Sequence, residues 1–155
     1  MRRPEKEIRD ETVIRQVLDE SMICRLGLVE NGEAYIVPVN YAYQDGMIYV
    51  HSASEGRKIS IIRKNSRVSF EIEYTSSTIK GEIPCKWGTK YRSIMGTGTV
   101  TIVDEPGLKR NGLDLIMKKY GSFADPEYDT TSLEHIVLLK LKVESVTGKQ
   151  SGVWE

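Results

Sequence analysis

Six stretches of the chain alternate apolar and polar residues with the period of two that sets every second side chain on one face of a strand. They are Ile23–Val29, Ala34–Tyr43, Met47–Ser52, Arg67–Glu73, Tyr91–Val103 and Glu134–Val146. The pattern is clearest where Val68, Phe70 and Ile72 stand between polar neighbours, and where Val137, Leu139, Leu141 and Val143 recur in the last stretch. Three segments follow the helical period instead. Val13, Ile14, Val17 and Leu18 come after Asp10, a residue suited to capping a helix start. Ile59, Ile61 and Ile62 come after Gly56, and Asn65 ends that run. Leu113, Ile116, Met117 and Tyr120 come after Asp104 and Pro106, and Gly121 ends it.

The punctuation between these segments decides how they assemble. Asn31-Gly32 and Asp45-Gly46 sit between apolar runs, and both dipeptides accept positive φ at both positions, as a tight hairpin requires. Strands joined by tight turns are antiparallel. Pro38 lies mid-strand and has no N–H to donate, so its strand must be an edge, bulged or open there. Gly96 and Gly98 in the fifth stretch predict a bulge or a close backbone approach. Tyr74–Lys90, rich in Thr, Ser and Gly, reads as irregular; Ser122–Ser132 reads as a loop and residues 1–9 as a polar lead-in. The expected fold is mainly β: six antiparallel strands closed into a small β-barrel with short helices, one domain over residues 1–155. Strands do not alternate with full helices, which argues against a doubly wound α/β sheet.

Composition narrows the partners. At 155 residues the chain suffices for one core. Its 22 basic and 22 acidic residues cancel, so no nucleic acid is expected as partner, although one local basic pocket stays open. The charged start MRRPEKEIRD is not a signal peptide, and apolar runs such as Ile136–Leu139 are strand-sized, so no membrane association is expected. Cys24 and Cys85 make neither a disulfide framework nor a metal cluster, and a cytoplasmic location with reduced thiols follows as an expectation. His51 and His135 are the only histidines, no HExxH, Walker or GxGxxG motif occurs, and no metal site is expected.

The stretch with chemical content is His51–Lys58. His51 and Ser52 end a strand; Gly56, Arg57 and Lys58 open a helix. Free amides at a helix start, joined by an arginine fork, a lysine and a hydroxyl, suit a phosphate. A solvated basic turn is an equal reading of the same residues.

Four motifs in order, VPVNYAY, MIYVHSASEGRK, Tyr91-Arg92-Ser93-Ile94-Met95-Gly96-Thr97-Gly98 and Thr147-Gly148-Lys149, resemble the pyridoxamine 5'-phosphate oxidase-like flavoproteins. The likeness is greatest to their 5-nitroimidazole resistance, or nitroimidazole reductase-like, branch. The resemblance implies a split β-barrel that binds FMN, with FAD possible, at the interface of a homodimer. It implies that Pro38, Val39, Asn40 and Tyr41 run along the flavin edge. His51 and Ser52 fall at the phosphate side, and Arg57 and Lys58 match the pair that holds the phosphate. Trp87, Tyr91 and Ser93 of a second copy are implied to cover the ring or tail. The implied activity is an FMN-dependent oxidoreductase passing electrons to a small acceptor such as a nitroaromatic compound, with His51 either a candidate proton donor or a hydrogen-bonding orienter of the phosphate or ribityl chain. The last residues, Gln150–Glu155, lack the arginine with which the oxidase recognises its pyridoxal substrate, so that activity is not expected. A flavin carrier or redox sensor without turnover, or a haem protein using His51 or His135, are the alternatives.

Overall fold

The computed structural model describes residues 2–122 and 126–154, with backbone alone at 75 and 76. The strands are β1 (Glu7–Ile8), β2 (Ile23–Glu30), β3 (Glu33–Asn40), β4 (Ala42–Gln44), β5 (Met47–Ala53), β6 (Arg67–Ile79), β7 (Gly88–Val103) and β8 (Ile136–Ser151). The α-helices are α1 (Glu11–Glu20), α2 (Arg57–Lys64), α3 (Pro106–Lys119) and α4 (Thr130–Glu134). All eight strands form one antiparallel sheet in the order β3-β2-β6-β7-β8-β5-β4, with β1 paired to β8. Both predicted tight turns are present. Asn31 and Gly32 have φ of 54° and 84°, and Asp45 and Gly46 have 51° and 77°.

The count is eight strands rather than six for two reasons. The second predicted strand, Ala34–Tyr43, breaks at Tyr41 into β3 and β4, and β1 is too short to show a period. That break closes the barrel. β3 pairs with β2 and β4 with β5, so the two ends of the sheet are consecutive pieces of one chain segment. No ladder joins β3 to β5. The barrel is therefore split along that seam, and Pro38 stands on it, paired only with Arg25 of β2.

The interior follows the predicted alternation. Leu26, Leu28, Phe70, Ile72, Ile94, Leu139 and Leu141 line it, and Val17 and Leu18 of α1 join Ile59, Ile61 and Ile62 of α2 in the same core. In β7, a Cβ added at Gly98 would lie 2.1 Å from the Lys142 carbonyl oxygen, and the register with β8 slips between Thr97 and Gly98. Only a residue without a Cβ fits that bulge.

Three predicted details are corrected. Tyr74–Lys90 is outside strand only over residues 80–87: β6 runs to Ile79 and pairs with Gly88–Arg92 to make a long hairpin, with β-branched Thr78 opposite Thr89. Thr130–Glu134 is helical, capped by the Asp129 carboxylate, so Glu134 ends a helix rather than starting a strand. Glu105, not Asp104, caps α3, accepting from the Gly107 and Leu108 amides at 2.9 and 2.6 Å. Asp104 instead meets the buried Lys109 ammonium at 2.8 Å. Part of the predicted loop at Ser122–Ser132, residues 123–125, lies outside the described residues. Among the described residues no helix is long and apolar enough to cross a membrane.

Candidate functional site: the seam of the barrel

The seam has two walls, and the predicted residues stand on both. β3 brings Pro38, Val39 and Asn40 to one wall; the end of β5 brings His51 and Ser52 to the other. Alternation then separates neighbours. Val39 points into the core, whereas Pro38 and Asn40 face outward. Ser52 points inward and is buried, whereas His51 is on the outer face. Before Tyr41 the facing edges of β3 and β5 carry no ladder, and such edges can offer backbone polar groups to a ligand.

One end of the seam is the start of α2. Gly56 is its N-cap with φ 112°, a conformation that favours glycine, and no side chain caps the first amides. The two cations that follow diverge. Arg57 turns to the β2–β3 hairpin: its Nε donates to Glu30 Oε2 at 3.1 Å, and its guanidinium lies 4.6 Å from the Tyr35 ring centroid. Lys58 has no carboxylate at ion-pair distance among the described residues. It is half-buried, and that burial lowers its pKa from the ordinary lysine value. His51 is pushed down as well, first by burial and then by the Lys58 charge. At neutral pH the imidazole is thus held neutral, which weakens it as a proton donor until an anion arrives to offset Lys58.

The donors present at this end fit a phosphate: uncapped amides, an unpaired cation beside them, and open space over Gly56, where an added Cβ would touch nothing within 4 Å. Lys58, rather than Arg57, is the cation the fold leaves free. Glu30 and Tyr35, which divert Arg57, were not legible as site residues, since nothing local in the sequence ties them to a helix 27 residues further on.

The other end is Tyr41, fully buried at 0% exposure. Its hydroxyl donates to the Leu18 carbonyl at 2.8 Å, and its backbone N–H, without a ladder partner, donates to the Tyr120 hydroxyl at 3.2 Å. Lys119 Nζ sits 3.4 Å from the Tyr41 ring centroid.

The remaining predicted residues lie on the outer face of the sheet. Register places Pro38, Arg25, Glu71, Met95 and Thr147 in one row across five strands, and Ile36, Gly27, Ser69, Thr97 and Ser145 in the next. Apart from Pro38, these two rows line an open cavity of about 520 Å³. Ile36 and Met95 are 65% and 60% exposed there. Ser93 and Tyr91 continue the Met95 face of β7. Trp87 stands apart, 51% exposed beyond the end of the β6–β7 hairpin, its indole N–H donating to the Gly81 carbonyl at 2.8 Å. Within one chain, then, Pro38–Tyr41 and His51–Lys58 flank the seam, Tyr91 and Ser93 share the outer face with Pro38, and Trp87 meets none of them. Neither histidine belongs to a cluster of metal-binding side chains among the described residues. Cys24 and Cys85 are free thiols.

An antiparallel sheet that closes through a broken strand and opens along an unladdered seam defines a split β-barrel. A family model described as pyridoxamine 5'-phosphate oxidase matches residues 10–150, and the chain belongs to that family. No curated protein matches it in sequence. Among solved structures it is similar to a candidate 5-nitroimidazole antibiotic resistance protein from Bacteroides thetaiotaomicron, at 26% identity and a TM-score of 0.83, covering 92% of this chain and 85% of that one. The flavocytochrome Anf3 of Azotobacter vinelandii superposes with a TM-score of 0.86 at 15% identity, covering 99% and 72% of the two chains. An FAD and heme binding protein of Mycobacterium smegmatis gives 0.85 at 17%, covering 96% and 75%. At such identities the last two show the shared fold.

Proposed function

We propose that this chain is a flavin-binding oxidoreductase that holds FMN in the seam and reduces a small acceptor such as a nitroaromatic compound. The observation that carries the reading is the α2 start: uncapped amides under a positive-φ Gly56, beside a half-buried lysine that no carboxylate among the described residues neutralises. One such cluster suits one phosphate monoester, which favours FMN over FAD. Family membership and the likeness to the nitroimidazole resistance protein support the reading.

A bound flavin supplies two-electron redox chemistry. The chain's own residues do the rest. Lys58 and the α2 amides hold the phosphate; the open edges of β3 and β5 orient what lies between them; the buried Tyr41 closes the far end to water. His51, neutral at rest, gains proton affinity when the phosphate charge offsets Lys58, and then donates a hydrogen bond from its ring nitrogen to the phosphate.

The pocket as read is incomplete in one chain. Ile36 beside Pro38 on β3, and Met95 three strands away on β7, are large apolar residues exposed on the outer face, with the Arg25–Glu71 ion pair between them. We infer a homodimer through this face, with Tyr91, Ser93 and Trp87 of the second copy covering the ligand.

The absorption spectrum of the purified protein with added FMN tests the cofactor. Flavin bands, a rise in FMN affinity over buffer, bleaching by NADH or NADPH and re-oxidation by a nitroimidazole are expected. A flavin that binds but never re-oxidises with acceptor makes the chain a carrier, a Soret band makes it a haem protein, and a colourless chain that ignores FMN refutes the proposal. Light scattering should give the mass of two chains.

A further inference from the structure

Resting on the flavin reading, we propose that Lys119 and Tyr120 are positioning residues that lock the Pro38–Tyr41 wall of the seam, and that the lock loosens when the Lys119 ammonium loses its proton. Neither residue borders the seam itself. Both sit at the end of α3, far from Tyr41 in sequence, and they meet it from outside the barrel.

Three groups converge on Tyr41. The Tyr120 hydroxyl accepts the Tyr41 N–H at 3.2 Å and donates to the Met22 carbonyl. The Lys119 ammonium lies on the Tyr41 ring at 3.4 Å and donates to the Leu18 carbonyl at 3.1 Å. The Tyr41 hydroxyl donates to that same carbonyl at 2.8 Å. Leu18 lies in the last turn of α1, where carbonyls lack helical partners and the helix dipole is negative. The last turn of α1 has no basic residue, so Lys119 supplies the cation from another element. The only residue between β3 and β4 is thereby fixed at its N–H, its ring and its hydroxyl. Asn40 and Val39, directly upstream, inherit that position.

The clamp is protonation-dependent because an ammonium on a ring is an attraction that a neutral amine lacks. Burial lowers Lys119 to about 8, with Asp19 of α1 opposing and the buried Cys24 thiol of β2 close by. The Tyr41 ring and the Leu18 carbonyl also favour the charged form. Arg15, Tyr43 and Lys118 line the cavity of about 400 Å³ on the outer side, and Arg15 is neutralised by Asp19 at 2.6 Å.

The test combines FMN affinity across pH with amide exchange at one pH. For the wild type, FMN binding is expected to weaken by roughly tenfold, the scale of one desolvated cation–ring contact, as pH rises from 7 to 9. Lys119→Met should be weak throughout and flat over that range. Lys119→Arg, whose charge does not titrate there, should stay tight at pH 9, which separates Lys119 from Lys58 and the phosphate itself. In exchange measurements without flavin, the Tyr41 amide should be protected in the wild type and in Lys119→Arg, and lose protection in Tyr120→Phe. A wild type and a Lys119→Arg variant with the same pH profile overturn the proton-linked part; unchanged Tyr41 protection in Tyr120→Phe overturns the clamp. Failure of every form to bind FMN refutes the flavin reading and leaves the exchange result to decide the clamp.

Discussion

The two ends of the seam are built on opposite principles. At Tyr41 the N–H and the hydroxyl both have partners, the side chain is wholly buried, and α1 and the end of α3 meet on the one residue that joins β3 to β4. At Gly56–Lys58 the helix amides have no side-chain cap, Lys58 has no counter-charge among the described residues, and Arg57 is held by a partly exposed ion pair and an aromatic face. Satisfied groups make structure, and unsatisfied ones at a surface make a binding site, because only the latter have a free valence to offer a ligand. Residues that hold the barrel shut thus differ in kind from those proposed to hold a ligand, and substitutions should divide along the same line.

The largest effect is expected at the closed end. Tyr41→Ala removes a fully buried aromatic ring, which typically costs about 3–5 kcal/mol. Tyr41→Phe keeps the ring and its Lys119 contact but loses one hydrogen bond, roughly 1 kcal/mol. Denaturant midpoints should fall in that order. A Tyr41→Ala protein as stable as the wild type would show that the strand break is held by something other than this residue.

Next in size is the open end, where affinity rather than stability should move. Lys58→Ala removes the unpaired cation, and a charge-assisted hydrogen bond of about 1.5–3 kcal/mol corresponds to roughly ten- to a hundredfold in FMN affinity. Arg57→Ala should cost only a few-fold, because its guanidinium is already committed to Glu30 and Tyr35. Neither should lower the melting temperature appreciably. Titration of the two single variants checks the ranking, and Arg57→Ala proving the worse of the two would reverse the assignment.

The sequence was informative wherever the determinant is local. Hairpins were legible at Asn31-Gly32 and Asp45-Gly46 because two residues alone dictate the turn, and the bulge at Gly98 because a missing Cβ is visible in one letter. The phosphate-suited start of α2 was legible as an even choice between site and solvated turn. What could not be read was long-range. That Arg57 bends to Glu30 depends on how a helix docks on a hairpin, and that Tyr41 ends a strand depends on Lys119 and Tyr120, which periodicity shows only as the end of a helix. The hairpin strands beyond Tyr74 were missed because serine and threonine in sequence resemble a loop, whereas their four pairs, Ser76–Tyr91 to Ile79–Gly88, are set by the partner strand. The wall residues came from the ordered motifs, and their alternation, with Val39 and Ser52 inward and Pro38 and His51 outward, emerged only from the register.

The smallest effect sharpens the comparison most, since it asks whether Arg57 belongs to the binding end or to the scaffold. Glu30 accepts from Arg57 at 3.1 Å and lies 3.9 Å from Lys64, so its carboxylate draws on two cations of α2. Glu30→Gln removes that charge while keeping the side-chain shape. Partly exposed pairs of this kind contribute about 0.5 kcal/mol or less, so the melting temperature should hardly shift. The freed guanidinium, still able to rest on Tyr35, should then turn toward the phosphate and tighten FMN by roughly two- to fivefold. Combining Glu30→Gln with Arg57→Ala should abolish the gain, because the coupling runs through that one side chain. If Glu30→Gln instead weakens FMN as much as Arg57→Ala does, Glu30 orients Arg57 for the ligand rather than competing for it, and the arginine belongs to the open end after all.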